Sequence, residues 1–318
     1  MAVEESLQFN VFEIHSNVDD KVIDLRAGTP RFEYRESVFS PYVEVTAYLV
    51  DTGNTVPTDD GSDSAIGLLE GGYCQGTEKV LFDIQDRNGF KVNLAHEDGA
   101  DLRLSSVTNS KQSFQNQTYV VTAVSKEAFD NTLLDNRCKM QYSGKISDIA
   151  LTILKQDLKS AKWNETYIDE TLNEYHEFGR DRYPFEMLLD IQQLAIPNLQ
   201  TSDGKNSLGK TAGYLFWQTW DRFHFRSLDQ LFDTTDKKIK RFIENKKADT
   251  VLPVGFHGKI LSSVSNWSID ALADFESGAR GSRIEVFNEV TKTYLPYTLT
   301  APNLGNGIIA GKHLPKFN

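Results

Sequence analysis

The sequence predicts a mainly β fold with α insertions (α+β), because strand-like and helix-like patterns occupy different stretches of the chain. Period-two alternation of apolar and polar residues dominates roughly the first 140 residues, where turn signals separate the runs. Helical spacing of apolar residues appears only after that point. Several strands without helices between them are typical of a small β-barrel or sandwich, which we expect over residues 1–140.

Three stretches carry the β prediction. In residues 42–49 every second residue is apolar, which places one face of a strand on a core. Residues 79–94 predict a hairpin, because two alternating runs flank Asn88 and Gly89, a favoured turn pair. Residues 119–124 predict a further strand.

The helical predictions follow in the second half. Residues 145–158 have apolar residues near helical spacing, with Ser147 as the expected cap. A second helix is expected to start at Pro184, where the missing N–H is harmless. Near the end, Ser268 is expected to cap a short helix that Gly278 stops, before a strand at 283–287.

Residues 213–232 are rich in aromatic side chains and raise the question of what those rings contact. The pattern predicts a strand at 214–217, a turn, a returning strand from Phe223, and a helix that begins at Ser227. Burial is the usual fate of such rings, so we expect core or subunit interface. A carbohydrate-binding module that stacks sugars on Trp217 and Trp220 is the alternative, and Trp220 in the turn is expected to contact a partner.

Composition narrows the classes of function. The formal net charge of -11 opposes tight binding to nucleic acid, which depends on Lys and Arg. Cys74 and Cys138 are far apart and lack metal-ligand spacing, so we expect two reduced thiols. No run is long and apolar enough for a membrane span, and the acidic amino terminus is unlike a signal peptide, so synthesis in the cytoplasm is expected.

One complete motif match is the phosphate-binding pattern GxxxxGK[ST] in GKNSLGKT, from Gly204 to Thr211. A phosphate-binding loop needs a buried strand before it and a helix after it. Here the preceding residues are polar and the following ones are strand-like, so we interpret the match as a flexible connection. His176 and Glu177 begin an HExxH zinc pattern, but position 180 is Arg. The sequence predicts no catalytic, cofactor-binding or metal-binding residues and no enzyme.

The order of several segments resembles the baseplate central hub proteins of contractile-tailed bacteriophages, especially the cyanophage relatives of the T4-like group. The segments are IDLRAGTPRFEYRESVFSPYVEVTAYLVDTGN, VSKEAFDN, CKMQYSGKISDIALTIL, EFGRDRYPF, GYLFWQTWDRFHFRSLDQLF and LADFESGARGSRIEVFNEVTKTY, and together they run from about Ile23 to Tyr294. None is a catalytic signature, so the resemblance depends on the collinear set.

The resemblance implies two tail-tube-like antiparallel β-barrel domains joined by helical and mixed segments. The expected divisions are residues 1–140 for the first barrel, 141–212 for a connector, and 213–318 for a second tube-like domain with an insertion. Relatives continue beyond the segment that ends here, so either the second barrel is completed differently or the chain is truncated.

The resemblance also implies a structural role in the tail baseplate of the virion. Hub proteins of this kind form a homotrimeric ring that adapts the sixfold tail tube to the threefold central spike, and viral DNA passes through the lumen without specific binding. The implied partners are the chain itself, the trimeric spike, tail tube or tube-initiator proteins, and baseplate wedge proteins. The alternatives are a hub or spike component of a contractile secretion or injection system and a nucleotide-binding protein that uses residues 204–211.

Overall fold

The structure of the protein is a computed structural model. It describes residues 7–18, 21–52, 56–57, 65–67, 74–86, 91–95, 102–112, 116–198, 213–228, 231, 241–244, 256, 258–260, 263–264, 271–276 and 281–300.

The described part is mainly β, which confirms that part of the predicted fold class. Its strands are β1 (Leu7–His15), β2 (Val22–Asp24), β3 (Arg31–Arg35), β4 (Glu44–Asp51), β5 (Val56–Pro57), β6 (Ala65–Ile66), β7 (Lys79–Asp86), β8 (Lys91–Leu94), β9 (Leu102–Gln112), β10 (Gln117–Ser125), β11 (Gln141–Lys145), β12 (Glu174–Phe178), β13 (Tyr214–Gln218), β14 (Phe223–Ser227), β15 (Phe242–Glu244), β16 (Gly258–Ile260), β17 (Gly281–Asn288) and β18 (Thr293–Thr300). Its α-helices are α1 (Lys126–Asp130), α2 (Ile146–Thr152), α3 (Pro184–Gln192) and α4 (Ala271–Glu276).

The first half forms one antiparallel eight-stranded sheet in the order β2-β1-β7-β9-β10-β4-β3, with β8 beside β7. The alternation predicted for β4 is confirmed, because Val45, Ala47 and Leu49 are buried while their neighbours point outward. The predicted hairpin is β7–β8, and the third predicted strand is β10. One face of the sheet therefore supplies the first hydrophobic core.

This sheet curls until strands near its two ends touch. Irregular pairing between Phe9 and Val11 bends β1, and two further irregularities lie between β9 and β10. As a result Phe9 of β1 lies 4.8 Å from Phe32 of β3, measured between ring centroids, and Phe32 lies 5.7 Å from Phe82. Strands β1 and β3 meet through these rings, and no backbone pairing joins β3 to β1 or β2 in the described residues. We call this unpaired junction between β3 and the β1–β2 edge the open seam.

The barrel predictions are confirmed only in a coarser form. The described sheets are antiparallel, apart from the short parallel pair β15–β16, and none of them is closed into a barrel. Closure fails at the open seam, where aromatic packing takes the place of a hydrogen-bonded ladder. The second barrel stays a prediction, because β13–β14 and β17–β18 form separate two-stranded sheets in the described part of the chain.

The second core combines helices with the aromatic hairpin β13–β14. The two predicted strands are confirmed, and their register pairs Phe216 with Phe225. Rings of Phe216 and Phe223 stack 5.5 Å apart, and Phe185 of α3 packs 6.0 Å from Phe216. The hairpin therefore shares one core with α2 and α3, although the predicted division places a boundary between them. The domain boundaries themselves stay predictions.

Two details of the helical region differ from the sequence predictions. Ser147 does not cap α2: the helix begins at Ile146, and the Ser147 N–H donates to the Thr171 hydroxyl at 3.1 Å. Within the predicted connector 141–212, residues 174–178 form strand β12, which pairs with β11 and has every second residue half-buried. Pro184 stands at the first position of α3, as predicted.

Several predicted features lie outside the described residues, namely Ser268, Gly278, the Asn88-Gly89 turn and the loop 204–211. The strand predicted at 283–287 is confirmed as part of β17.

Candidate assembly surfaces

A buried polar network joins the two cores. The Lys162 Nζ lies 3.2 Å from the Glu127 Oε2, and the Gln218 Nε2 donates to the same oxygen at 2.9 Å. The Ser160 hydroxyl donates to the Glu127 Oε1 at 3.2 Å, and the Ser125 hydroxyl donates to the Gln218 Oε1 at 2.7 Å. These groups are buried and mutually hydrogen-bonded, so we interpret the network as a structural joint rather than a reactive site.

The two tryptophans considered for sugar stacking are engaged inside the fold. Trp217 is buried and stacks on His224, with ring centroids 4.6 Å apart and planes 5° from parallel. Trp220 is half-buried and packs against the first core. Its backbone N–H donates to the Glu36 carboxylate at 2.7 Å. Trp220 is thus partly engaged within its own chain, and its contact with a partner stays a prediction.

His224 lies in an apolar environment. Burial lowers the pKa of His224 from 6.5 to about 4, which outweighs the opposing effect of Asp221. Its Nε2 lies 3.0 Å from the Thr219 hydroxyl, and Tyr167 packs edge-on against the ring at 5.1 Å. The imidazole is thus a neutral packing group.

The partial zinc pattern forms no metal site. The His176 Nδ1 hydrogen-bonds the Ser143 hydroxyl at 2.8 Å, while Glu177 accepts from the Tyr175 hydroxyl and pairs with Arg182. Among the described residues, no group of three or more His, Cys, Asp or Glu side chains is placed to hold a metal ion.

Both cysteines are free thiols, as predicted. Burial raises the pKa of Cys74 to about 12 and that of Cys138 to about 11, so neither is a ready nucleophile. Within the part of the chain that the structure describes, no helix has the length and apolar character needed to cross a membrane.

The hairpin β17–β18 carries a group of exposed apolar side chains. Alternation and register place Ile284 opposite Tyr297 and Val286 opposite Leu295 on the same side. All four side chains are 44–53% exposed. We call this side the apolar hairpin face. A face of this composition is normally covered in a folded protein or an assembly.

The opposite side of the same hairpin is mixed. Arg283 and Glu285 form an ion pair at 3.3 Å, and Phe287 stands opposite Tyr294, with both aromatic residues more than half exposed. Surface ion pairs of this kind contribute little to stability, so the charges do not replace the missing cover.

The end of the hairpin is held in a defined turn. The Asn288 Oδ1 accepts from the N–H groups of Val290 and Thr291 at 3.0 and 3.2 Å. Lys292 adopts a left-handed conformation with φ 54°. We call residues 289–292 the hairpin tip; at its apex Val290 is 92% exposed. The tip therefore presents an apolar side chain between two charged ones, Glu289 and Lys292.

A groove of about 480 Å³ opens beside α3, and we call it the α3 groove. It is lined by Asn131, Thr132, Tyr183, Glu186, Leu189 and Asp190. The Arg137 guanidinium lies 3.5 Å from the centre of the Tyr183 ring, which places a cation at the edge of the groove.

Exposed apolar residues surround this region. Four of them are 41–71% exposed: Leu133 and Leu134, which follow Thr132 directly, and Met140 and Phe178. The Gly179 N–H donates to the Met140 carbonyl oxygen at 2.9 Å, and this bond keeps Met140 and Phe178 close together. We call these four residues the flanking patch. The groove and the flanking patch form a second candidate assembly surface.

Comparison with known proteins gives a weak structural likeness only. No protein-family model matches the sequence, and no curated protein does. Among solved structures, the chain is similar to the 43 kDa tail protein of prophage MuSo2 from Shewanella oneidensis, with 10% identity and a TM-score of 0.40. It is also similar to the tail protein from Neisseria meningitidis MC58, with 11% identity and a TM-score of 0.36.

The extents of these matches differ. The first covers 74% of this chain but 57% of the Shewanella protein, so it spans less than two thirds of that protein's length. The second covers 92% of this chain and 84% of the Neisseria protein. TM-scores of this size do not establish a common fold.

Sequence reasoning did not find the assembly surfaces. The alternation in β17 was visible, but alternation alone does not tell whether an apolar face is covered. The α3 groove combines residues far apart in the chain, Asn131 and Leu189 among them, which no local pattern brings together. The only sequence signal was the pair of adjacent apolar residues Leu133 and Leu134 in a turn-rich stretch.

Proposed function

We propose that this chain is a structural protein of a bacteriophage tail and that it serves as the central hub of the baseplate. The observation that carries the proposal is a chain with large uncovered surfaces and no reactive constellation among its described residues. Among the described residues, the curled sheet is left open at its seam, and nothing covers the apolar hairpin face. Such surfaces are expected on a subunit that neighbours complete.

The sequence segments that resemble hub proteins support the same proposal, because they coincide with elements that build the fold. One runs through β2, β3 and β4; another carries α1 with the buried Glu127. A third is the β13–β14 hairpin of the second core, and the last runs through α4 and β17 to Tyr294. The resemblance therefore concerns structural positions rather than a catalytic motif.

In the proposed role, three copies form a closed ring between the tail tube and the central spike. The ring presents a pseudo-sixfold face to the tube and a threefold face to the spike. This role requires complementary subunit surfaces and no catalytic site. Baseplate wedge proteins surround it, and DNA passes through the lumen. A net charge of -11 disfavours retention of phosphates there.

Microscopy of tails in which this chain carries a label tests the proposal. We expect density at the junction of tube and spike, inside the baseplate. A label on the sheath or the tail fibres would end the hub proposal, even if the chain remained a tail protein.

The proposed stoichiometry has its own measurement. Mass photometry of the purified chain, alone and with the spike protein, is expected to show a species of three copies, since some hubs assemble only on their partner. Only monomers under both conditions would contradict the trimer.

A further inference from the structure

We infer that the β17–β18 hairpin of one subunit docks on a second copy of this chain, with the hairpin tip in that copy's α3 groove. Each subunit would thus give one hairpin and receive one. The inference rests on the proposed homotrimer, and it adds the two surfaces that meet.

The hairpin requires a cover that the described part of its own chain does not supply. Two-stranded hairpins are at best marginally stable alone in water, and here both faces of β17–β18 are exposed. Strands of eight residues are about 26 Å long, and two strands are about 10 Å wide, which gives about 260 Å² per face. Stable interfaces bury about 800 Å² per partner, so the hairpin must be joined by neighbouring surface. On the receiving copy, the flanking patch next to the α3 groove offers exposed apolar surface to a face of the hairpin.

The groove has the size and lining to take the tip. Its volume of about 480 Å³ accommodates a branched aliphatic or aromatic side chain. Val290 projects from the apex of the tip, and Phe287 and Tyr294 stand directly behind it. Tyr183 and Leu189 provide the apolar part of the lining. Because Asn288 fixes the turn, insertion of Val290 costs little additional ordering.

Charges on the two surfaces are complementary. At the groove, the Arg137 Nη1 donates to the backbone oxygen of Asp181 at 3.0 Å, and no ion pair joins this guanidinium to a carboxylate among the described residues. Glu186 likewise has no cationic partner within the described ranges. The hairpin tip carries Glu289 and Lys292, so it offers one charge of each sign. Docking would set Glu289 towards Arg137 and Lys292 towards Glu186.

A second copy is the occupant that these surfaces favour, because both complementary halves belong to the same chain. The hairpin and the groove are different surfaces, so their contact is heterologous, and heterologous contacts generate rings when the rotation closes. A ring is the assembly that the proposed function requires.

Cross-linking between two differently tagged full-length chains tests the inference. One chain carries Val290→Cys and the other Thr132→Cys, and the native thiols are retained because burial raises the pKa of both. We expect a disulfide-linked heterodimer on non-reducing gels under conditions in which the chains assemble. The matched control replaces Thr132→Cys by Val18→Cys, an exposed position on the first half of the chain, and is expected to give no link.

The outcomes separate this inference from the proposed function. Trimers in mass photometry without the Val290–Thr132 link would overturn the docking and leave the hub proposal intact. A link that forms only within the chain of a double Cys variant would show that the hairpin covers its own groove, which also overturns the inference. Absence of both trimers and link, with the spike present, would contradict both proposals.

Charge reversal tests the pairing of Lys292 with Glu186. Lys292→Glu and Glu186→Lys are each expected to lower subunit affinity about tenfold, since like charges then face each other. The double reversal is expected to recover to within about threefold of the original chain, as a coupled pair should. Single reversals without effect, or a double variant that shows the simple sum of two losses, would contradict the pairing.

Discussion

The two hydrophobic cores of this protein are built in different ways. The first is one continuous curled sheet, in which β1, β4, β7 and β10 each turn every second residue inward. The second combines α2, α3 and the hairpin β13–β14, which are separated by long stretches of chain. Local pattern specifies the first core, whereas the second depends on contacts between distant segments. The buried network around Glu127 is the point at which the two are joined.

The largest effect is expected from the centre of the first core. Phe82 is fully buried and packs against the rings of Phe9, Phe12, Phe32 and Tyr34. Phe82→Ala removes this shared contact and is expected to lower the free energy of unfolding by about 3–5 kcal/mol. Urea denaturation measures the change. Phe39→Ala, at a position that is 79% exposed, is the control and should remain close to the original chain.

Removal of Lys162 tests how strongly the cores depend on their joint. Lys162→Met leaves the Glu127 carboxylate buried without its cation, which is expected to destabilise the chain by about 3 kcal/mol. The unfolding transition should also broaden, because the contact between the two cores is weakened while the bonds of Gln218 and Ser160 to Glu127 remain. In the double variant with Glu127→Gln the buried charge is gone, so we expect a smaller loss. A double variant as unstable as the single one would contradict the role of the ion pair.

A pH-dependent loss of stability should originate in the second core. The folded-state pKa of His224 is about 4 because of burial, whereas its ordinary value is 6.5. Between these two values the unfolded chain binds the proton and the folded chain does not. The contribution of His224 is therefore fully present above pH 6.5 and decreases as the pH falls towards 4. The melting temperature of the original chain should fall more steeply over this interval than that of His224→Gln, and equal slopes would contradict the prediction.

The smallest effect on the isolated chain is expected at the hairpin. Tyr297→Ser replaces a ring that is 53% exposed, so the free energy of unfolding of the monomer should change by less than about 0.5 kcal/mol. The same substitution should weaken subunit association, measured by sedimentation. A large loss of monomer stability would mean that the hairpin already packs on its own chain.

Sequence patterns predicted the first core far better than the second. Alternation in β4, in β7–β8 and in β10 was sufficient because strand burial has a period of two. The start of α2 was misplaced because the Ser147 hydroxyl was taken for a cap, whereas Thr171, distant in sequence, occupies that neighbourhood. Strand β12 was missed because its alternation is weak and polar.

The candidate surfaces were less predictable than either core. Whether an aromatic ring is exposed, or lines a groove as Tyr183 does, depends on the residues packed beside it, and these are often distant in sequence. The predicted barrel was confirmed only as a curled sheet, because strand pattern predicts pairing within a sheet but not whether its last two edges meet. Bulges near Phe9 and in the β9–β10 pair set the curvature of the sheet, and no sequence pattern predicted these bulges.

In the described part of the chain, the open seam leaves two strand edges, those of β3 and β2, that are accessible to a strand of another chain. The edge strand β3 alternates Arg31, Glu33 and Arg35 along its length, and the edge strand β2 has only three residues. Short edges and charged edge side chains disfavour strand addition by another chain. The strand edges at the seam are therefore protected against aggregation. The Phe32 ring still holds β3 against β1 through its contact with Phe9.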